Sequence, residues 1–525
     1  MTELRLDGLH PVLTDPALET MNFLNEVVNR FPDAVSFAPG RPFEGLFEID
    51  SVARYLDTYC RYLRERRGYS EEQIRRTLFQ YGRTKGIVHE LIAEQLRLDE
   101  GIDVDPESIV VTVGCQEAMV LVLRALRGDE RDVALAVAPT YVGFTGAARL
   151  VDMPVLPVAG GERGVDLADL RAQVRAAKQG GQRPRALYLV PDFSNPSGIS
   201  LDPETRRELL DATEELDLLV LEDNPYGLFH ATDAAHVPTL KALDTRTRVV
   251  YLGSFAKTGL PGARVGYVVA DQPVTAGGQS VGLLADQLAK IKSMLTVNTS
   301  PIAQAVIGGK LLENDGSMVR ANAAEIKLYR RNLHHLLDGL TSRFAGSEVR
   351  WNIPQGGFFV VVDVGFPVDD ELLERSAEHY GVLWTPMCHF FARDVALNQL
   401  RLSCSSLTTQ QIDIGLDRLA ALVHDQTSKL AVPDRKDPPM SSPNDLATES
   451  RVRKIMSEVL EIADTQIDKG ADLYDDLAAN SLDKAEILAR LEKEFDIQLD
   501  PEQSAAIMSL GDATRVVSSF DGKRS

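Results

Sequence analysis

Between residues 185 and 255 the chain alternates near-continuous apolar runs with amphipathic helical stretches. Ala186-Leu187-Tyr188-Leu189-Val190 ends at Pro191, Leu218-Leu219-Val220-Leu221 is closed by Glu222-Asp223, and Val249-Val250-Tyr251-Leu252 runs into Gly253. A helical pattern from Glu204 to Leu216 separates the first two runs. A strand that is apolar on both faces is buried on both, and parallel neighbours need long crossovers, usually helical. The pattern predicts an α/β body whose mostly parallel sheet is covered by helices. Ligands bind such sheets beyond the carboxyl ends of the strands.

The residues at those ends carry chemistry. Ser194-Asn195-Pro196-Ser197-Gly198 follows the first run, Asp223-Asn224-Pro225-Tyr226 the second, and Gly253-Ser254-Phe255-Ala256-Lys257-Thr258-Gly259-Leu260-Pro261-Gly262-Ala263-Arg264 the third. A lysine at the end of a buried strand is partly desolvated, which favours its neutral amine, a nucleophile for aldehydes. Ser254 and Arg264 bracket it as phosphate ligands. Asp223 closes a buried run and needs a cation or hydrogen bonds, and a pyridinium nitrogen is such a cation. Asn195 and Tyr226 suit a ring hydroxyl. Singly, each residue also fits a structural cap, and most strand-terminal lysines are solvated surface groups. Together they fit pyridoxal 5'-phosphate (PLP).

Further candidates lie on both sides. Ile109-Val110-Val111-Thr112-Val113 reads as a buried strand opening through Gly114-Cys115-Gln116-Glu117 into a helix, which is either an anion cradle or an ordinary loop. Tyr141 follows a strand at 133–137 and either stacks on a planar ring or simply packs. Gly40 lies between Pro39 and Pro42 in a turn open to close backbone approach. Tyr81 sits in a loop over 78–86. The first 35 residues read as mostly helical, with Leu24, Val27 and Val28 on one face. Arginines 61, 64, 66, 67, 75 and 76 read as a solvated helical face, with docking of an acidic partner as the weaker alternative. From 325 the pattern changes to a long helix carrying Ile326, Tyr329, Leu333, Leu336 and Leu337. Gly356-Gly357 then opens a strand, and a second strand near 398–403 contains Arg401, either a bidentate carboxylate ligand or an outward edge residue.

Composition narrows the class. The 525 residues carry a formal net charge of −21, which argues against a nucleic-acid partner. Cys60, Cys115, Cys388 and Cys404 have neither zinc nor disulfide-framework spacing, so no metal site is expected and a reducing, cytoplasmic setting is. No apolar run is long enough to span a membrane. Residues 425–448 hold four prolines and read as a linker between a large body and a small acidic module.

Residues from about 35 to 424 resemble the class I/II aminotransferases of the fold-type-I PLP enzymes, in their aminoadipate/kynurenine branch. The matching motifs run in order through Tyr81-Gly82, Gly114-Cys115-Gln116, Tyr141, Asn195-Pro196, Asp223 with Tyr226, Ser254, Lys257, Arg264, Gly356-Gly357 and Arg401. The resemblance implies a large domain over about 50–320 and a small α+β domain built from the N-terminal segment plus 325–424. It implies that Lys257 holds PLP and moves the Cα proton, that Asp223 keeps the ring nitrogen protonated, and that Asn195 and Tyr226 bind the ring oxygen. Tyr141 stacks on the ring, and Gly114, Cys115, Gln116, Ser254 and Arg264 hold phosphate. Arg401, Asn195 and Gly40 bind the substrate carboxylate. Tyr81 reaches the partner subunit's phosphate, so a homodimer with shared active sites is implied.

Asp472-Leu473-Tyr474-Asp475-Asp476-Leu477-Ala478-Ala479-Asn480-Ser481-Leu482-Asp483 resembles the phosphopantetheine site of acyl and peptidyl carrier proteins, with Asn480 in place of the usual aspartate and Ala478 in place of glycine. That implies a four-helix carrier domain over 449–525, with 4'-phosphopantetheine attached to Ser481 by a phosphopantetheinyl transferase. The expectation is an aminotransferase of an α-amino acid and a 2-oxo acid, fused to a carrier domain, in specialised metabolite biosynthesis. The alternatives are Cβ or Cγ elimination, replacement or carbon–carbon bond formation on the same fold, and a carrier scaffold with an inactive body.

Overall fold

The computed structural model describes residues 4–15, 26, 29–233, 237–391, 397–431 and 443–521, the last range without 461, 465, 466, 469, 470, 472, 474–476, 478, 501, 502, 505 and 506. Two compact units divide the chain, residues 1–427 and 428–525.

The first unit is built on a seven-stranded sheet. Its strands are β1 (Ile109–Val113), β2 (Asp132–Ala138), β3 (Val155–Ala159), β4 (Arg183–Leu189), β5 (Leu219–Asp223), β6 (Val249–Ser254) and β7 (Val265–Val269). They lie side by side as β1-β7-β6-β5-β4-β2-β3. Neighbours are parallel except that β7 runs antiparallel to both β1 and β6. The exception follows from chain length: ten residues, 255–264, join β6 to β7, too few for a crossover helix, so the pair folds back on itself. That fold-back is what sets Lys257 in a turn at the sheet's carboxyl edge.

Helices cover both faces. Helix Pro203–Leu216 follows the expected register and starts with Asp202 accepting from Thr205 N at 2.7 Å. The arginine-rich stretch forms helices Ile49–Glu65 and Glu71–Phe79, as its pattern predicts. Four of its arginines are paired within the unit: Arg61 with Asp57, Arg64 with Glu71, Arg67 with Glu90 and Arg76 with Glu72.

A smaller sheet follows. Strands Arg350–Trp351, Phe359–Asp363, Gln399–Ser403 and Thr385–Pro386 lie in that order, all antiparallel. The N-terminal segment joins them: Val35–Ser36 pairs in parallel with Val382–Leu383, and Phe37 packs in one cluster with Leu333, Leu336 and Leu402. The helical reading of the first 35 residues falls mostly outside the described residues, including Leu24, Val27 and Val28; what is described there includes two short 3₁₀ turns, Leu6–Gly8 and Pro11–Thr14.

The second unit has helices Pro443–Leu460, Ser481–Phe495 and Leu510–Asp521 around a core that includes Val452, Met456, Leu473, Ile487, Leu491 and Val517. Both ends of the stretch read as linker are helical. Helix Thr409–Ala431 runs past 425 and the next helix begins at Pro443, before 448. Proline at the first helical position is compatible with a helix start, so Pro443 marks a beginning and not a coil. No described helix is long and apolar enough to cross a membrane.

Candidate active site

The loops at the carboxyl ends of β1, β2, β4, β5 and β6 enclose a cavity of about 410 Å³. Gly40, Cys115, Gln116, Tyr141, Asn195, Asp223, Tyr226, Ser254, Lys257, Arg264 and Arg401 all line it. The strand-end logic brings these residues together from positions 361 residues apart in sequence, Gly40 to Arg401.

Helix Gly114–Leu126 begins directly at the end of β1, and Val113 supplies no side-chain cap for its first turn. The amides of that turn are therefore open to an anion. Backbone and guanidinium crowd this point. A Cβ on Gly114, whose φ is +69°, would lie 2.4 Å from Arg264 Nη2, and one on Gly266 would lie 2.6 Å from Cys115 N. Both glycines are needed for the approach. Arg264, Ser254 and the open amides of 114–116 gather positive charge and donors suited to an anion.

The other groups are buried and oriented. Lys257 Nζ donates to Gly40 O at 2.6 Å. Burial, with the Arg401 and Arg264 charges, lowers its pKa to about 8. Burial raises Asp223 to about 6, against the hydrogen bonds of Tyr188 and Cys115 and the charge of Lys257. Burial raises the pKa of Tyr226, and a hydrogen bond with Asn195 opposes that rise. Tyr141 is pushed up to about 12 by burial. All of these tyrosines remain neutral donors.

Arg401, expected in a strand, is 5% exposed and faces inward. Nη1 donates to Asn195 Oδ1 at 2.5 Å, and Nη2 donates to Ala38 O at 2.7 Å and to Thr385 Oγ1 at 3.1 Å. The Phe359 and Phe390 rings flank its guanidinium at 4.4 and 4.9 Å. Its Nε is buried with no partner among the described residues, a donor left unsatisfied beside the cavity.

The Cys115 thiol points to Asp223 Oδ1 at 3.6 Å, so only its backbone is free for phosphate. Gln116 Nε2 donates to Gly143 O at 2.6 Å, so its side chain too is engaged. Tyr81 is 85% exposed and does not line the cavity. Sequence reasoning passed over Tyr188, whose hydroxyl donates to Asp223 Oδ2 at 2.7 Å. Its signal was a tyrosine in an otherwise aliphatic buried strand. Phe359 and Phe390 were also missed, because an aromatic in a core pattern reads as packing.

In the second unit, Ser481 is the first residue of its helix; its side chain lies outside the described residues, as do Asp472, Tyr474, Asp475, Asp476 and Ala478. Asn480 N donates to Asp483 Oδ2 at 2.9 Å, and Asp483 N donates to Asn480 Oδ1 at 3.2 Å. This reciprocal cap explains why asparagine is tolerated before Ser481, since asparagine and aspartate cap equally well.

Residues 63–419 match the family model for aminotransferase class I and II, and residues 450–517 match that for a phosphopantetheine attachment site. The (S)-3,5-dihydroxyphenylglycine transaminase of Amycolatopsis orientalis is 56% identical over 423 residues, covering 80% of this chain and 95% of that protein. The 2-aminoadipate transaminase of Thermus thermophilus is 32% identical, over 74% of this chain and 89% of that protein. Among solved structures, a kynurenine aminotransferase from Pyrococcus horikoshii superposes with a TM-score of 0.67 at 25% identity, covering 80% of this chain and 98% of that one.

Proposed function

From the premise that this chain belongs to the class I and II aminotransferases, we propose that it moves an amino group between an α-amino acid and a 2-oxo acid bearing a hydroxylated aryl ring on the α carbon. The carrying observation is the convergence of Lys257, Asp223 and Arg401 on one cavity beside an uncapped helix N-terminus. The aryl preference rests on the 56% identity to the dihydroxyphenylglycine transaminase and on Tyr141, Phe359 and Phe390, which offer planar apolar surfaces around Arg401.

PLP, when bound, supplies a conjugated ring that takes up the electrons released at the substrate's Cα. The chain's residues do the rest. The 114–116 amides, Ser254 and Arg264 would hold its phosphate. Asp223 would keep the ring nitrogen protonated, and Asn195 and Tyr226 would hold the ring oxygen. Lys257 would hold the coenzyme through its aldehyde carbon, and its neutral amine would take up the proton of the substrate's Cα and return it across the intervening nitrogen. Its pKa of about 8 leaves a useful fraction neutral near physiological pH. Arg401 grips the α-carboxylate, with Asn195 and the backbone at Gly40 beside it. The apolar rings around Arg401 exclude water and strengthen that grip.

The protein works as a homodimer in which Tyr81 completes the phosphate site of the other subunit; its exposure away from its own cavity supports this. A cytoplasmic setting is supported by four free cysteines. Ser481 carries phosphopantetheine, loaded with an acyl or aminoacyl group.

Two measurements test this. Mixing holoenzyme with arylglycines and other amino donors under single-turnover conditions should convert bound PLP to pyridoxamine phosphate, with arylglycines fastest. No conversion with any donor would remove transamination, and equal rates for alkyl donors would remove the aryl preference. Intact mass after coexpression with a phosphopantetheinyl transferase should rise by one phosphopantetheine, and Ser481→Ala should abolish the rise. A rise that persists in that variant would place the attachment elsewhere.

A further inference from the structure

Two side-chain proton donors beside the site, one buried and one half-buried, have no part in the steps above. Tyr188 lies in β4 and is 2% exposed; its hydroxyl takes Asp223 Oδ2 at 2.7 Å. Cys115 is the second residue of the helix after β1, and its thiol takes Oδ1 at 3.6 Å. One donor thus serves each carboxylate oxygen, from two different elements. Phe144 stacks on the Tyr188 ring at 3.9 Å with an 8° interplanar angle, so packing fixes the direction of the hydroxyl independently of its bond.

A carboxylate offers about four lone-pair sites, two on each oxygen. With one donor on each oxygen, Asp223 cannot rotate without losing a bond, yet each oxygen keeps a free site. We propose that Tyr188 and Cys115 are positioning residues for the coenzyme: together they hold Asp223 ionised and aimed so that a free lone pair meets the ring N–H. The proposal rests on the reading of Asp223 as the ring-nitrogen partner. The other groups around Asp223 include Lys257 from the turn after β6, Tyr226 beyond β5 and Tyr141 beyond β2, with Arg264 behind Cys115. With Lys257 committed to the coenzyme, the two hydrogen bonds are the chain's own uncharged means of keeping the carboxylate ionised.

The sign of the effect follows. Both donors favour the ionised carboxylate, so removing either raises the pH at which Asp223 takes up a proton. The test uses the full-length holoenzyme and three readouts: equilibrium affinity of the apoprotein for PLP, the pH dependence of the bound coenzyme's visible spectrum, and the acid limb of kcat/KM. Tyr188→Phe keeps the stack on Phe144 and removes one donor; Cys115→Ala removes the other. Each is expected to weaken PLP binding by about 3- to 10-fold and to move the acid limb up by about half to one pH unit. Cys115→Ser, which restores a donor, should return the limb toward wild type. Phe144→Leu, which loosens the ring but keeps the hydroxyl, should change thermal stability more than the pH profile.

An unmoved spectrum and acid limb in both Tyr188→Phe and Cys115→Ala would overturn the proposal. So would equal shifts in Phe144→Leu, which would make the effect packing. Should Tyr188→Phe fail to fold, Cys115→Ala alone decides. Asp223→Asn separates this from the premise: if that variant also binds PLP with an unchanged spectrum, the ring-nitrogen reading fails; if it is impaired while the donor variants are not, only the clamp fails.

Discussion

Asp223 and Lys257 sit in one cavity with their pKa values displaced toward each other, the acid up to about 6 and the amine down to about 8. Burial is the first cause of both. A raised carboxyl pKa means that the folded chain holds its proton more tightly than the unfolded one. Its cost to stability is therefore absent below the ordinary value near 3.8, grows through the acid range, and is complete above about 6. In the apoprotein, Asp223→Asn should raise the melting temperature at about pH 7, a gain on the order of 1–3 kcal/mol, and the gain should vanish by about pH 4. Calorimetry of apoprotein at several pH values checks this; a gain independent of pH would mean that packing and not charge burial is responsible. The residue scale is also where sequence was most informative. Lys257, Asp223 and Asn195 stand at the ends of apolar runs, and a polar group there must face something. Tyr188 was illegible for the opposite reason: it lies within a run, and only the sheet's register tells which face its hydroxyl reaches.

At the scale of elements, the site depends on the joint between β1, its helix and β7. Gly266 in β7 lies against Gly114 C and Cys115 N at 2.7 and 2.6 Å from an added Cβ, so strand and helix start touch backbone to backbone. Lys292, on helix Leu284–Leu295, reaches Glu117 Oε2 at 2.7 Å, and that same oxygen accepts from Val113 N at 2.6 Å. A buried ion pair thus fixes the strand-to-helix turn whose amides form the phosphate cradle. The strand pattern made the joint readable as strand, turn and helix. The Lys292–Glu117 pair was not readable, because 175 positions separate the partners and neither breaks its local pattern. The helix ends at 431 and 443 were hidden by composition: proline and polar residues suggest coil, but proline at a first helical position and charged helix ends share that composition.

At the scale of the whole molecule, the first unit exposes large apolar side chains, among them Ile49, Phe79, Tyr81 and Met294. Exposed apolar groups of this number invite a cover, and the homodimer proposed above would supply it and give Tyr81 a task. If each active site takes Lys257 from one subunit and Tyr81 from the other, two damaged chains can repair one another. Tyr81→Ala should bind PLP weakly, and Lys257→Ala should be inactive at any coenzyme concentration. After the two are mixed, unfolded and refolded together, about half of the dimers are mixed, and each mixed dimer has one intact site. Activity at limiting PLP should then recover to about a quarter of the wild-type value per chain. Sites contained within single subunits would give no recovery beyond the sum of the separate variants, because every Lys257 would still lie in a chain lacking its own Tyr81.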